Sequence, residues 1–532
     1  MFWADTVVDK IKEHYKDKIA AGQPIVIRDE KTASGRVHVG SLRGVAIHGV
    51  ISELLKKEGI LNTYFFEIND FDPMDGLPVY LNREVFLPYM GKPLCDVPSP
   101  DGNAKNYAEY FAAEFTQVIS ELGFNPTYYR SSDMYKSGRY NDAIRLALEH
   151  ADLIREIYQR ISGAKKQEKW LPLNVICEQC GKVGTTHATD FDGKTVFYTC
   201  GDFVDWAKGC GYTGRISPFD GRAKLPWKVE WAAKFTSMNV DVEGGGKDHS
   251  TRGGSRDIAD TISREVFHRE PPLNIPYEFF VVGGKKMSSS KGAGSSSREV
   301  ADLLPPELLR FLLIQKEPQR VIDFIPDGDT VPVLYDTFDT YAKHYFDGLD
   351  DSTNRDDFSK IFELAQLPGK TSFTKRILPR FSQVAYLVQM PHIDPKNEIE
   401  NLTGEKLDAA GIAELERREK YAKIWLDIYA PENYKFEIQK TLPALARNLS
   451  MEQRNALGKI LAYMRTKEKL DGKEFHEALH GLRAELNMQP KDFFSAIYIS
   501  ILGKENGPKA GWFLSVLDKS FLEQRFGEVA RI

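Results

Sequence analysis

The sequence predicts an α/β chain: a doubly wound parallel sheet carrying a small cysteine-bearing insertion, followed by an all-α C-terminal region. Three observations predict it. A buried-strand run, a turn, a helical pattern and a second strand run follow one another between Pro24 and Ile68. Four of the five cysteines fall between Cys177 and Cys210. From about residue 300 onward only helical periodicities recur.

The first strand is Pro24-Ile25-Val26-Ile27-Arg28, followed by a turn at Ser34-Gly35. Residues 38–58 are a predicted helix, because Leu42, Val45, Ala46, Val50, Leu54 and Leu55 recur near 3.6-residue spacing; Gly59 ends it. Residues 61–68 form the second strand. The Pro-, Gly- and Asp-rich stretch 71–102 is a predicted loop, and 104–122 and 139–161 are predicted helices. Residues 170–222 are short, turn-rich and cysteine-bearing, which marks an inserted module. The sheet is expected to resume over 226–282, ending in Phe279-Phe280-Val281-Val282, with a Gly/Lys/Ser loop over 283–297. Helices are predicted at 305–315, 376–390, 451–467, 473–487 and 491–502, and no internal repeat is present.

A length of 532 residues corresponds to about three to five domains, and 42% hydrophobic content supports several cores. The net charge of -5 gives no overall basic footprint, so any RNA contact must come from local patches and must weaken with salt. Met1-Phe2-Trp3-Ala4-Asp5 begins no secretory pattern, and no run of 18 apolar residues predicts a membrane span. Cytoplasm is the expected location. Five cysteines do not make a disulfide framework. Their pattern is Cys177-x2-Cys180, 19 residues, then Cys200-x9-Cys210. Four thiolates with glycine knuckles at Gly181 and Gly211 can close a tetrahedral structural zinc site, with His187 as an alternative fourth ligand. Cys95 is read as an unrelated free thiol.

Two segments carry chemistry. Ala33-Ser34-Gly35-Arg36-Val37-His38-Val39-Gly40-Ser41 lies between a strand and a helix, where unpaired N–H groups suit phosphate; Gly40 admits a flat group close to the backbone. Read alone, it is equally a structural turn with a surface histidine. Gly283-Gly284-Lys285-Lys286-Met287-Ser288-Ser289-Ser290-Lys291-Gly292 is a lysine- and hydroxyl-rich loop suited to closing over a polyphosphate, or else a flexible linker. Asp29, Glu30, Asp70 and Asp72 are carboxylates near strand ends, where such sheets bind ligands.

Taken together, His38-Val39-Gly40-Ser41 resembles the HIGH signature, and Lys286-Met287-Ser288-Ser289-Ser290 the KMSKS signature, of class I aminoacyl-tRNA synthetases. Ser41 replaces the last histidine and Ser289 the second lysine. Leu225-Pro226-Trp227-Lys228-Val229-Glu230-Trp231, Gly246-Lys247-Asp248-His249, Pro276-Tyr277-Glu278, Leu303 to Phe311 and Gly507 to Phe513 resemble the class I lysyl-tRNA synthetases in particular. The resemblance implies a Rossmann-like catalytic domain over 1–300, holding an insertion at about 83–225 with the zinc module at 170–222. A linker region over 301–360 and an α-helical anticodon-binding domain over 361–532 complete the implied organisation.

The implied substrates are ATP with Mg2+, L-lysine and tRNA(Lys), and the expected form is a monomer with no membrane partner. Catalytic candidates are His38, Ser41, Lys286 and Lys291, with either lysine able to meet the phosphates. ATP-binding candidates are Ser34, Gly35, His38, Gly40, Ser41, Asp248, Lys286, Met287, Ser288, Ser289 and Ser290. Amino-acid-binding candidates are Asp29, Asp70, Trp227, His249 and Tyr277. Arg28 sits where related glutamyl enzymes hold an acidic substrate, so glutamate stays open, with Arg28 otherwise holding the α-carboxylate or pairing with Asp29. A noncatalytic tRNA-binding paralogue is the reading from another class. Basic segments at Lys165-Lys166, Lys375-Arg376 with Arg380, and Arg417-Arg418 with Lys420 and Lys423 are each read as solvated faces, and as a set they fit tRNA binding.

Overall fold

A computed structural model describes residues 2–283, 295–348, 355–369, 375–390 and 393–532. The chain divides into two compact units, Met1–Phe324 with Thr340–Thr371, and Ile325–Asp339 with Ser372–Ile532.

The first unit is built on a parallel sheet. Helix α1 (Trp3–His14) leads into β1 (Ile25–Thr32), α2 (Leu42–Lys57) and β2 (Asn62–Asn69). After a long connection come α3 (Tyr107–Glu121) and β3 (Thr127–Arg130). β1 and β2 pair in parallel from Ile25↔Asn62 to Thr32↔Asn69, and β2 pairs with β3 from Phe65↔Thr127 to Ile68↔Arg130. The sheet continues on the opposite edge of β1. There Val242 bridges Ile27 in parallel and Leu273 bridges Val242, with Arg28 N–H donating to Val242 O at 3.0 Å and Leu273 N–H to Asp241 O at 2.8 Å. β1 is therefore central, and the chain leaves it in one direction first and returns later on the other side. That reversal opens a crevice at the C-terminal ends of β1 and of the 241–246 segment, where ligands bind in such sheets.

Residues 226–282 mix helix with sheet edge. They hold α6 (Trp227–Ser237) and α7 (Ser255–Glu265), with the sheet confined to single bridges and β7 (Phe280–Val282). Trp227 and Trp231 are four apart, so helical spacing fits that stretch better than alternation does. The predicted helix at 139–161 is two helices, α4 (Asn141–Glu149) and α5 (Ala151–Ser162), separated at His150. β7 pairs in parallel with β8 (Ile322–Phe324), placed after α8 (Ser297–Leu303) and α9 (Pro306–Ile314).

α2 is buried on nearly every side because α1 and α9 pack on one face and the sheet on the other. Even Arg43 is fully buried: its guanidinium donates to Leu313 O, to Lys316 O at 2.9 Å and to Glu317 O at 2.7 Å, filling carbonyls left open at the end of α9. The cysteine module is an antiparallel sheet of β4 (Thr186–Phe191), β5 (Val196–Cys200) and β6 (Thr213–Ile216), tied back by the pairing of Asn174–Val175 with Ala223–Lys224.

The second unit is helical. It holds α10 in part (Thr330–Asp347 overall), then Phe381–Leu387, Pro395–Thr403, Ala409–Ile428, Met451–Arg465, Gly472–Glu485, Pro490–Leu502 and Lys519–Ala530. The predicted helix at 376–390 shrinks to Phe381–Leu387, since Pro379 precedes it and the residue before a proline disfavours helix. Trp425 is fully buried and donates to Pro326 O at 2.9 Å. Part of the expected basic surface lies inside. Arg418 is buried and pairs with Glu414 at 2.8 Å and Asp339 at 2.5 Å, Arg376 pairs with Glu414 at 3.2 Å, and Arg380 pairs with Asp336 at 2.6 Å. Among the described residues, no helix is long and apolar enough to cross a membrane.

Candidate active site

A cavity of about 410 Å³ opens at the crevice beside the C-terminal end of β1. Its volume is in the range that holds a small ligand. β1 contributes Asp29 to Thr32, the following turn Ser34, and the start of the next helix His38, Gly40 and Ser41. α6 contributes Trp227 and Trp231, the glycine-rich stretch Glu243 to Gly246 with Asp248 and His249, and the approach to β7 Tyr277 to Phe280. The structure thus brings Asp29, Ser34, His38, Gly40, Ser41, Trp227, Asp248, His249 and Tyr277 to one cavity from six stretches of sequence.

Gly35 is buried in the adjoining turn and is absent from the wall. Asp70 also stays apart. Its carboxylate is buried and taken up by the start of the helix after β3, accepting from Ser132 N at 2.8 Å and Ser132 Oγ at 2.6 Å. Lys286, Met287, Ser288, Ser289, Ser290 and Lys291 lie outside the described residues. The described neighbours of that segment do meet the first motif. Ser296 bridges His38, Ser297 N–H donates to Val37 O at 2.8 Å, and a Cβ on Gly40 would lie 3.2 Å from Phe280 O.

His38 precedes a short 3-10 turn, Val39–Ser41, that runs straight into α2. The turn takes up the N–H groups at the helix start, Ser41 N–H donating to His38 O at 3.1 Å and Leu42 N–H to Val39 O, so what this end offers anionic oxygens is the side chains of His38 and Ser41 and the positive end of the helix dipole. Three aromatic rings form the opposite wall. Trp227 stacks on Trp231 with centroids 5.5 Å apart at 18°, and His249 stands edge-on to Trp227 at 4.9 Å. Such a wall suits methylene groups and a cation.

Two residues of α2 that sequence reasoning missed shape the cavity. A Cβ on Gly44 would lie 2.7 Å from Tyr277 Oη and 2.9 Å from Asp29 Oδ2, so only glycine lets these two groups approach the helix. His48, one turn on, is fully buried between Gly44 O, 2.8 Å from Nδ1, and Gly244 N–H, which donates to Nε2 at 2.8 Å. That pairing fixes the neutral tautomer with the proton on Nδ1 and ties the glycine-rich stretch to α2. Asp29 Oδ2 lies 3.3 Å from His48 Nδ1, but that proton is directed at Gly44 O, and Oδ2 is a buried acceptor without a hydrogen-bond donor among the described residues. The four-residue spacing Gly44/His48, like Trp227/Trp231, was the available signal.

Beneath the cavity lies a buried charge network. Arg28 is fully buried and pairs with Glu30, with Glu67 at 2.7 Å and with Glu243 at 2.7 Å, and its Nε donates to Tyr129 Oη at 2.7 Å. Lys234 reaches Glu30 at 2.8 Å, Glu67 at 2.7 Å and Glu230 at 3.2 Å. Lys224 joins Glu230 and Asp72, the latter at 3.1 Å. Burial disfavours every one of these charges, but the carboxylates hold Lys234 and Arg28 well above their usual ranges, and the two cations hold Glu30 well below the ordinary carboxylate range. Trp231 Nε1 donates to Glu243 at 2.7 Å, coupling the network to the aromatic wall. Arg28 pairs with these three glutamates rather than with Asp29, and it does not line the cavity.

The sulfur atoms of Cys177, Cys180, Cys200 and Cys210 lie within 4.8 Å of one another, with Cys177–Cys210 at 3.6 Å and Cys180–Cys200 at 3.7 Å. Four sulfurs about 2.3 Å from a central ion stand roughly 3.8 Å apart in a tetrahedron, so the group fits a metal ion. Gly181 and Gly211 take φ of +72° and +78°, the left-handed turns each knuckle needs. Among the described residues the cluster does not include His187, whose ring lies 5.5 Å from Phe203, or Cys95.

Residues 1–367 match the family described as tRNA synthetases class I (K). A lysine–tRNA ligase of Methanosarcina barkeri (strain Fusaro) is 33% identical over 99% of this chain and 97% of its own length. One from Archaeoglobus fulgidus is 32% identical over 99% of both chains, and one from Thermoplasma volcanium is 32% identical over 99% of both. With a family match over most of its length and full-length relatives of one kind, the chain belongs to the class I tRNA synthetase family of the lysine type.

Proposed function

We propose that this chain activates L-lysine with ATP and transfers it to tRNA(Lys). The observation that carries the lysine reading is the charge of the cavity wall. Of its carboxylates, Glu30 and Glu243 are committed to Arg28 and Lys234, and Glu278 to Lys247 at 2.6 Å, which leaves Asp29, whose Oδ2 is a buried acceptor without a hydrogen-bond donor among the described residues. Arg28, the arginine that would suit a glutamate side chain, is already saturated by three carboxylates beneath the floor. An ammonium group therefore gains a partner at Asp29, whereas a carboxylate side chain placed there would meet a like charge. Trp227, His249 and Tyr277 flank the side-chain methylenes, and Asp29 accepts from an ammonium of the substrate.

In the first step a carboxylate oxygen of lysine attacks the α-phosphorus of ATP in line. The bond from that phosphorus to the bridging oxygen breaks, and pyrophosphate leaves with the electron pair. In the second step a terminal ribose hydroxyl of the tRNA attacks the acyl carbon and AMP departs. Neither step needs covalent chemistry from the protein, so the side chains position and neutralise. His38 and Ser41, at the positive end of the α2 dipole, hold phosphate oxygens, Gly40 lies beneath the adenosine, and Lys286 or Lys291 meets the phosphates. Mg2+ enters with ATP and screens the polyphosphate charge. Cys177, Cys180, Cys200 and Cys210 hold a zinc ion, which closes the module around itself and leaves no open coordination position for chemistry. The helical region over 361–532 reads the anticodon, and the chain acts as a cytoplasmic monomer.

The test is aminoacylation of total tRNA with ATP, with lysine, glutamate and arginine run in parallel. Lysine alone is expected to be charged, and His38→Ala is expected to abolish it. Charging with glutamate would sink the substrate assignment. Failure with all three would favour a noncatalytic tRNA-binding role.

A further inference from the structure

We infer that Lys31 is a catalytic residue of the activation step, its ammonium holding the anionic junction at which the amino-acid carboxylate meets the α-phosphate. The inference rests on the proposed activity. Lys31 sits on β1 two residues after Asp29, so strand alternation places both side chains on the same face of the sheet, and both line the cavity.

The other buried cations at this end of the sheet are matched. Arg28 has Glu30, Glu67 and Glu243; Lys234 has Glu30, Glu67 and Glu230; Lys224 has Asp72 and Glu230. Lys31 differs. Among the described residues no carboxylate lies within ion-pair distance of its ammonium and no acceptor takes its protons, although it is part-buried in the cavity wall. Burial lowers its pKa from the ordinary lysine value, and the more distant Asp29, Asp248 and Glu30 only partly oppose that. A part-buried cation that opens on a cavity and has no carboxylate beside it gains when an anion arrives there.

The two expected substrates supply that anion. The ammonium groups of lysine go to the acidic wall, which leaves its carboxylate as the pole that needs a cation. As the carboxylate oxygen bonds to the α-phosphorus, negative charge builds on the non-bridging oxygens of that phosphorus. A fixed cation at the junction is worth more in that state than in the ground state, so it acts on the rate rather than on binding. It approaches from the sheet, opposite the helix start that carries His38.

The test compares Lys31→Met, Lys31→Gln and Lys31→Arg with the wild-type chain in lysine-dependent ATP–pyrophosphate exchange, tRNA included. Lys31→Met is expected to lower kcat by roughly 10²-fold or more, the loss that follows removal of one charge-stabilising donor. The KM for lysine and the melting temperature should stay close to wild type, and Lys31→Arg should recover a large part of the rate. Lys31→Gln supplies the same readout if the methionine variant does not fold. A Lys31→Met enzyme with wild-type kcat overturns the inference while leaving the proposed activity standing, as does a variant altered in KM alone. A wild-type chain with no lysine-dependent exchange overturns both.

Discussion

Gly44→Ala separates function from stability with a single methyl group. The added Cβ would sit 2.7 Å from Tyr277 Oη and 2.9 Å from Asp29 Oδ2, where ordinary contact begins near 3.4 Å. The tyrosine oxygen must therefore retreat by about 0.7 Å and the carboxylate oxygen by about 0.5 Å. Both atoms are side-chain ends rather than backbone and both face the cavity, so the shift is taken up there, and alanine in a helix interior returns up to about 1 kcal/mol of helix propensity. The cavity does not absorb it, because these two groups line it and are the ones proposed to flank the amino acid. A misplacement approaching 1 Å costs on the order of 10²-fold in rate, about 2.7 kcal/mol of barrier. The expected result is kcat/KM for lysine-dependent ATP–pyrophosphate exchange down by roughly 10²-fold with a melting temperature equal to or above wild type. Exchange kinetics within twofold of wild type would refute the assignment of Tyr277 and Asp29 to the substrate. A collapse of stability alongside activity would refute the claim that the shift is local.

Three further outcomes are expected. Lys234→Met leaves Glu30 and Glu67 to Arg28 alone and Glu230 to Lys224 alone, an excess of buried negative charge that should cost about 3–5 kcal/mol of stability, read as a lowered urea midpoint. Elemental analysis should find one zinc per chain, lost in Cys180→Ser and Cys210→Ser but retained in Cys95→Ser, and binding should weaken as pH falls because the thiols must lose their protons. The folded-state pKa of Glu30 lies below its unfolded value, so its stabilisation is complete at neutral pH and is lost as pH falls through the folded value. The stability gap between wild type and Glu30→Gln should hold steady down to the ordinary carboxylate range, about 4.3, and close only below it; a gap that closes near neutrality would contradict the pairing with Lys234 and Arg28.

Much of the sheet was legible because its strands and the helix between them obey simple periodicities. β1, α2 and β2 fall where apolar spacing places them. The four cysteines were legible for a different reason: thiolates that share an ion need glycine knuckles beside them, and these are local in sequence. The return of the sheet at Val242 and Leu273 was harder to read. Each is a single bridge inside a run that holds two helices, so no alternation survives to mark it. Charge was the least legible property. Arg418 stands in a basic run that suggests a solvated face, yet it is buried between Glu414 and Asp339, which lies far away in sequence. Asp70 and Asp29 looked alike as carboxylates at strand ends; Ser131 and Ser132 claim the first, while the absence of a side chain at Gly44 leaves the second open to the cavity. Such contrasts depend on which partner the fold brings, and a linear sequence does not name it.

The saturation of Arg28 also bears on how this specificity can drift. An arginine that must be released to greet an acidic substrate is held by Glu30, Glu67 and Glu243. Replacing any one of them strands charge in the interior, and Glu30 and Glu67 also anchor Lys234. Each single step toward glutamate therefore passes through a less stable protein before any new preference can appear. Substrate identity is thereby tied to foldability, because within this network freeing Arg28 carries a folding cost.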